Sequence, residues 1–317
     1  RLGYPCKIDN RIIVFIRFLA RPTKKYIVAA GVVFGMAQLT KFSLFLLIPI
    51  FIILGLVWLI VQKEFYDARV ARKKRLTLFL KHALNLYLKI ALIFIIGAVI
   101  VWTFYIWHVW NYPQARQLSD AKTLIGGFRP QIFVELDLWL INHAPTRPLG
   151  QYLLGVMMVT QRTAGGNSAY FLGEVSSAGW KYYFPTVYLF KETLGFHLLT
   201  LTALLIAFSR IKKAREKTPA ALRCWIADNF PIFASIFFVA FYWASSITNP
   251  LNIGVRHVLP TFPFIFFLVA RELALWTSAS MLDEIKSFRG FISMIYRNLI
   301  VPIPKIFILM ITLLWIA

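Results

Sequence analysis

NPLNIGVRHVLPTFPFIFFLVARELALW, residues 249–276, is the stretch on which the reading of this chain turns. A turn-like Asn249-Pro250 leads through Arg256-His257 into a long apolar run, so a fixed positive charge stands at the lip of a segment able to cross a bilayer. What that charge means depends on the rest of the chain.

The 317 residues are 59% hydrophobic, 16% aromatic and only 15% charged, with a mean hydropathy of +0.68. A water-soluble core has no use for so much apolar material. Runs of about 20 apolar residues, the length that crosses a hydrocarbon layer of roughly 30 Å, recur along the chain and predict an all-α integral membrane protein. Expected spans are 23–40, 43–62, 86–108, 184–208, 229–248, 257–276 and 299–317, with 11–20 as the tail of an earlier one, which makes seven to eight transmembrane helices in one domain, 1–317.

The net charge of +22 comes from 35 Lys and Arg against 13 Asp and Glu. In a soluble protein that excess would suggest nucleic acid, but here the cations gather in short loops between apolar runs, so no nucleic acid is expected. Seven lie in 63–82 and six in 209–223, with more in RPTKK (21–25) and KSFRGFISMIYR (286–297). With 43–62 and 86–108 as an inward and outward pair, all four basic loops fall on one side, which the positive-inside rule makes cytoplasmic. The implied location is the plasma (inner) membrane, multi-pass. On the opposite, extracytoplasmic face lies 109–183, a long connection rich in aromatic residues, Gly and Pro, of the kind that is functional or a folded cap. Within it FVELDLWLINHAP reads as an interfacial strand or helix, RTAGGNSAYFLGE as turn-rich and GWKYYFP as an aromatic belt. The chain has no N-terminal Met or cleavable signal and stops inside IFILMITLLWIA, which reads as a fragment lacking N-terminal spans and truncated at both ends. Cys6 and Cys224 sit in no metal-ligand or redox spacing and receive no chemistry.

Four outward features are candidates for chemistry. Lys41 interrupts nearly 40 apolar residues at their outward turn, where an ammonium reaches headgroups, water or an anion. Arg256 and His257 lie at the outer end of 257–276, on the side where charge bias does not explain them. A guanidinium there suits a lipid phosphate, a local salt bridge or membrane phospholipid, while a lone His more often satisfies a hydrogen bond than catalyses. Glu174 between Gly173 and Gly179, followed by Trp180, Tyr182 and Tyr183, fits either a sugar-binding surface or a membrane-interface belt. Lys191, followed by Glu192, falls about seven residues inside the span 184–208, so it is either an intramembrane functional pair or the mark of a helix that starts later. Phosphate-binding loops, dinucleotide fingerprints, His/Cys metal clusters and nucleophile elbows are not present in the sequence, so neither a metal nor another cofactor is expected.

GVVFGMAQLTKFSLFLLIP (31–49), AYFLGEVSSAGWKYYFPTVYLFKETL (169–194) and NIGVRHVLPTFPFIFFL (252–268) together resemble, in this order, the recurrent stretches of polyprenyl-phosphate-dependent membrane glycosyltransferases related to the protein O-mannosyltransferases and aminoarabinose transferases. The resemblance implies a multi-spanning C-type glycosyltransferase fold. It also implies inverting, metal-independent transfer of a sugar, a hexose such as mannose, from a polyprenyl-phosphate carrier to an acceptor protein, lipid or glycan on the extracytoplasmic face. By likeness Lys41, Arg256 and His257 map near the carrier phosphate, and Glu174, Trp180, Tyr182, Tyr183 and Lys191 to the sugar and acceptor pocket. Fixed cations near a departing phosphate stabilise the transition state beyond the ground state. The family's acidic general base, expected in a first outward loop, has no match in residues 1–40, so the catalytic base is unassigned and expected upstream; Glu174 is a weaker nominee for it. A transporter or flippase for a lipid-linked substrate would use the same lip cations without a base, and a non-catalytic membrane scaffold would need neither.

Overall fold

The computed structural model describes residues 14–62, 65, 72–213, 218–277, 304–305, 307 and 310–311. The chain is mostly helical, and among the described residues five helices are long and apolar enough to span a membrane: Phe42–Ile60, Lys73–Val109, Leu194–Ile211, Phe230–Ile247 and Leu259–Trp276. Four of the expected spans, 43–62, 86–108, 229–248 and 257–276, coincide with such helices. The expected 23–40 forms a helix of 17 residues, and 299–317 lies largely outside the described residues.

The chain divides into two compact units: Arg1–Ser168 with Ser176–Ala178 and Leu222–Ala234, and Ala169–Val175 with Gly179–Ala221 and Ser235–Ala317. In the first unit the helices run in the order α1 (Val14–Ala20), α2 (Lys24–Thr40), a 3₁₀ turn Phe42–Leu46, α3 (Leu47–Ile60), α4 (Arg72–Val109), α5 (Gln114–Ile125), α6 (Gln131–Asn142) and α7 (Arg147–Gly165). The 38 residues of α4 rise about 57 Å at 1.5 Å per residue, well beyond a hydrocarbon core of roughly 30 Å. The basic stretch 63–82 is therefore not all loop: from Arg72 on it forms the opening turns of α4. Alternating Lys and Arg with Leu76, Thr77 and Leu78 lets the helix continue, because straight-chain basic residues are good helix formers.

Helix α2 packs along α4 because Gly31 and Gly35, one turn apart, put no side chain between the two helices. A Cβ on Gly31 would stand 2.6 Å from Ile96 Cβ, and one on Gly35 would stand 2.8 Å from the Gly97 carbonyl oxygen. Side-chain-free positions of this spacing allow backbones in lipid to approach closely, where dispersion rather than the hydrophobic effect drives helix association.

The segment expected as a loop, 109–183, is largely helical. Helices α5, α6 and α7 pack on one another around Ala121, Ile125, Val134, Ile141, Leu154 and Met157. The spacing Val134, Asp137, Ile141 puts all three on the buried face of α6. FVELDLWLINHAP is thus helix, and the alternation it shows over a few residues does not outlast the 3.6-residue period of its buried positions.

The second unit opens with a two-stranded hairpin, β1 (Ala169–Phe171) and β2 (Glu174–Ser176). It continues with α8 (Tyr183–Lys191), α9 (Leu194–Lys213) and α12 (Phe262–Thr277) and with α11 (Phe230–Ile247) from Ser235 on, while most of α10 (Pro219–Asp228) and the first turn of α11 belong to the first unit. The expected continuous span 184–208 is corrected: Glu192 is extended at φ −87°, ψ 153°, and Thr193 Oγ1 accepts the Phe196 N–H at 3.4 Å. Thr193 caps a fresh helix, a choice its side chain makes locally and the hydropathy of the surrounding residues conceals. Helices α9 and α12 then bury Leu199, Ala203, Val269 and Leu273 against each other, with Arg210 Nη1 donating to Glu272 Oε2 at 2.7 Å.

Candidate functional site

The second unit gathers two stretches that are far apart in the chain. Residues 249–252 follow α11, and the backbone N–H of Trp180 donates to Asn252 Oδ1 at 2.7 Å. Gly179, at φ +67°, passes so close that a Cβ there would lie 2.5 Å from the Pro250 carbonyl oxygen and 2.7 Å from Asn252 Oδ1. Only glycine combines that left-handed conformation with that approach. The GWKYYFP segment is therefore docked on the stretch that leads to Arg256, which sequence reading left as two separate candidates.

Asn252 is 4% exposed. Its oxygen serves Trp180, which fixes the amide's orientation, and its Nδ2 is buried with no hydrogen-bond partner among the described residues. A buried amide N–H₂ without an acceptor costs on the order of 1–3 kcal/mol. Sequence reading did not single out Asn252. An Asn two residues after Pro250 reads as an ordinary turn residue, and nothing local to it announces that its amide is buried.

Gly254, at φ +90°, turns the chain into a 3₁₀ turn, Val255–His257, immediately before a second one and α12. Arg256 on that turn is exposed, and its Nε donates to the Ile253 carbonyl at 3.1 Å. This tether restrains the guanidinium at the lip. His257 is half-buried, its ring 5.4 Å from that of Phe184 and 6.2 Å from that of Tyr242. It packs as an aromatic between α8 and α11. Phe184, Val258 and Phe262 form the apolar seat beneath.

The aromatic residues belong to the same unit. Phe171 of β1 lies 5.4 Å from the Trp180 ring, 5.8 Å from Tyr182 and 4.9 Å from Tyr183. Tyr182 is exposed, Trp180 and Tyr183 half-buried. The hairpin closes on Leu172 at φ +49° and Gly173 at φ +93°, a turn with both central residues left-handed, which suits the twist of a two-stranded ribbon. Leucine in that region is strained. Glu174 follows on β2 and is exposed. Lys191 ends α8 and is exposed, and the next helix, α9, starts three residues on at Leu194.

Lys41 belongs to the first unit. It sits in extended conformation, φ −159°, ψ 125°, between α2 and the following 3₁₀ turn, half-buried, and its carbonyl accepts the Leu44 N–H at 3.0 Å. Buried Gln38 holds this turn by donating to the Leu44 carbonyl at 3.0 Å and accepting the Tyr152 hydroxyl at 2.8 Å. Phe42, next to Lys41, lines a cavity of about 440 Å³ shared with Tyr105, Asp120 and Gln151. The α5–α7 cap beside it holds a second orphan. Asp137 is fully buried, neither carboxyl oxygen has a hydrogen-bond partner among the described residues, and burial pushes its pKa up to about 7. Among the described residues no group of His, Cys, Asp and Glu is arranged to hold a metal ion.

Comparison with family models, with curated proteins and with solved structures returned no match.

Proposed function

We propose that this chain is part of a membrane glycosyltransferase that moves a sugar from a polyprenyl-phosphate carrier to an acceptor on the extracytoplasmic face, with inversion at the anomeric carbon. The observation that carries the reading is the pairing, within one unit, of an orphan buried donor, Asn252 Nδ2, with the exposed guanidinium of Arg256 four residues on, beside the docked aromatic cluster of Phe171, Trp180, Tyr182 and Tyr183. Charged and neutral N–H donors suit phosphate oxygens, and aromatic faces suit the C–H face of a sugar ring. The positive-inside bias of the basic loops supports an outward lip, and the three-stretch resemblance supports the carrier chemistry.

The chemistry asks little of these residues beyond charge. As the acceptor oxygen bonds to the anomeric carbon, the bond from that carbon to the carrier phosphate breaks, and the acceptor's proton passes to a base. The departing phosphate gains negative charge on its bridging oxygen. Arg256 and Asn252 would stabilise that charge more than the bound substrate, which is the condition for raising the rate.

The test is transfer of radiolabelled sugar from a synthetic polyprenyl-phosphate mannose by the full-length protein in proteoliposomes. Transfer that Arg256→Ala removes, with unchanged membrane insertion, supports the reading. Movement of intact carrier across the bilayer without transfer would replace it by the flippase.

A further inference from the structure

The cavity of the first unit takes no part in the lip chemistry, and its wall has a character of its own. Its volume of about 440 Å³ lies in the range of roughly 300–1,000 Å³ typical of small-molecule sites. Tyr105, Tyr112 and Phe42 contribute aromatic rings to the wall, and Asp120, Thr123 and Gln151 contribute polar groups.

The polar groups are held in place by partners. Arg147 Nε donates to Gln117 Oε1 at 3.0 Å, and Gln117 Nε2 donates to Gln151 Oε1 at 3.0 Å. Gln117 is fully buried, so this relay is shielded from water and sets the Gln151 amide with its oxygen spoken for and its N–H₂ as the group left to offer. Asp120 Oδ2 accepts the Tyr112 hydroxyl at 2.5 Å, and Arg116 Nε stands 3.8 Å away. That bond pushes the Tyr112 pKa up, with burial adding to it, so Tyr112 keeps its proton and remains Asp120's donor. The rings are braced likewise. Tyr105 meets Tyr152 edge-on at 5.6 Å and stacks on His108 at 4.9 Å, while Phe42 lies 5.8 Å from Tyr152.

We propose that this cavity binds an uncharged, polyhydroxylated ring of the monosaccharide class. A preset acceptor in Asp120 and a preset donor in Gln151 match adjacent hydroxyls, each of which both donates and accepts, and braced aromatic faces match the C–H face of a pyranose. Asp120 is, among the described residues, the one acid in the wall. It repels an anionic ring, and with Tyr112 and Arg116 already beside it, it does not call for an ammonium. The inference is independent of the lip, which belongs to the other unit.

The experiment is saturation-transfer NMR on the purified full-length protein in detergent, with no polyprenyl phosphate present. The probes are methyl α-mannopyranoside and methyl β-glucopyranoside, beside glucuronate and methyl glucosaminide as anionic and cationic counterparts. A saturable signal from a neutral glycoside is expected, strongest on ring C–H protons. It should weaken about tenfold or more in Asp120→Asn and in Gln151→Leu, the loss for a hydrogen bond to a charged or preset partner, and vanish when Met158→Trp fills the space. Asp120→Asn keeps the side chain's shape and an oxygen for Tyr112, so it reads recognition rather than folding. No saturable signal from either neutral glycoside, equal or tighter binding of a charged ring, or a signal unchanged in all three variants would overturn the proposal. Because the assay contains no carrier, failed sugar transfer and failed glycoside binding are separate results.

Discussion

The Trp180 backbone N–H donates to Asn252 Oδ1 at 2.7 Å, and this bond ties the aromatic segment to the stretch that bears Arg256. Among the described residues, Asn252 Nδ2 is buried without an acceptor. One side chain thus has a structural half and an unused half, and the two can be tested separately.

Replacing Asn252 by Asp keeps an oxygen for Trp180 but puts an acceptor where the orphan donor stands. Loop docking, read as protection of 170–180 from limited proteolysis, should survive. Sugar transfer from the carrier should fall about 10- to 100-fold, the equivalent of losing a hydrogen bond to a charged group worth roughly 1.5–3 kcal/mol. Transfer at the normal rate with a docked loop would assign Asn252 to structure alone.

Gly179→Ala attacks the structural half. The new methyl would lie 2.5 Å from the Pro250 oxygen at a backbone φ of +67°, and both the oxygen and the dihedral are backbone features that cannot yield cheaply. The expected outcome is rapid cleavage in 170–180 and lost transfer, with helix content by circular dichroism unchanged.

Asp137 gives a pH dependence whose sign follows from burial. Its folded pKa, about 7, is raised above the unfolded carboxyl value, so the folded protein holds a proton that the unfolded chain has released. Below about pH 4 both states are protonated and nothing is lost. From there up to about pH 7 stability declines by at most about 1.4 kcal/mol per pH unit, and above that it is level at its lowest value. Asp137→Asn should therefore raise the thermal midpoint of the detergent-solubilised protein at pH 8 and converge with wild type near pH 4. An equal or lower midpoint at pH 8 would show that the carboxylate has a partner in solution.

Gly97→Val tests the contact between α2 and α4. Its Cβ would press into the Phe34 ring and stand 3.3 Å from the Gly35 nitrogen. Overpacking of this kind costs roughly 1–3 kcal/mol, read as a lower unfolding midpoint in mild detergent. Gly127→Ala, where a Cβ meets nothing within 4 Å, is the matched control.

The membrane-spanning character of the chain was legible in its residues alone. A run such as LIPIFIILGLVWLI, Leu47–Ile60, needs no knowledge of its neighbours to be identified, because the cost of a backbone in lipid is met within the segment itself. The turn at Lys41 and the exposed lip position of Arg256 were legible for the same reason: each interrupts a contiguous apolar run. The break at Glu192-Thr193 was written there too, in a capping threonine, but averaged hydropathy over the run 184–208 hides it. Tertiary structure alone decided the rest. The bond from Trp180 to Asn252 joins residues 72 apart, the relay Arg147–Gln117–Gln151 joins α5 and α7, and the burial of Asp137 comes from helices packing on its face of α6. Hydrophobic length is a property of consecutive residues, whereas a satisfied or orphaned polar atom is defined by what the fold brings against it.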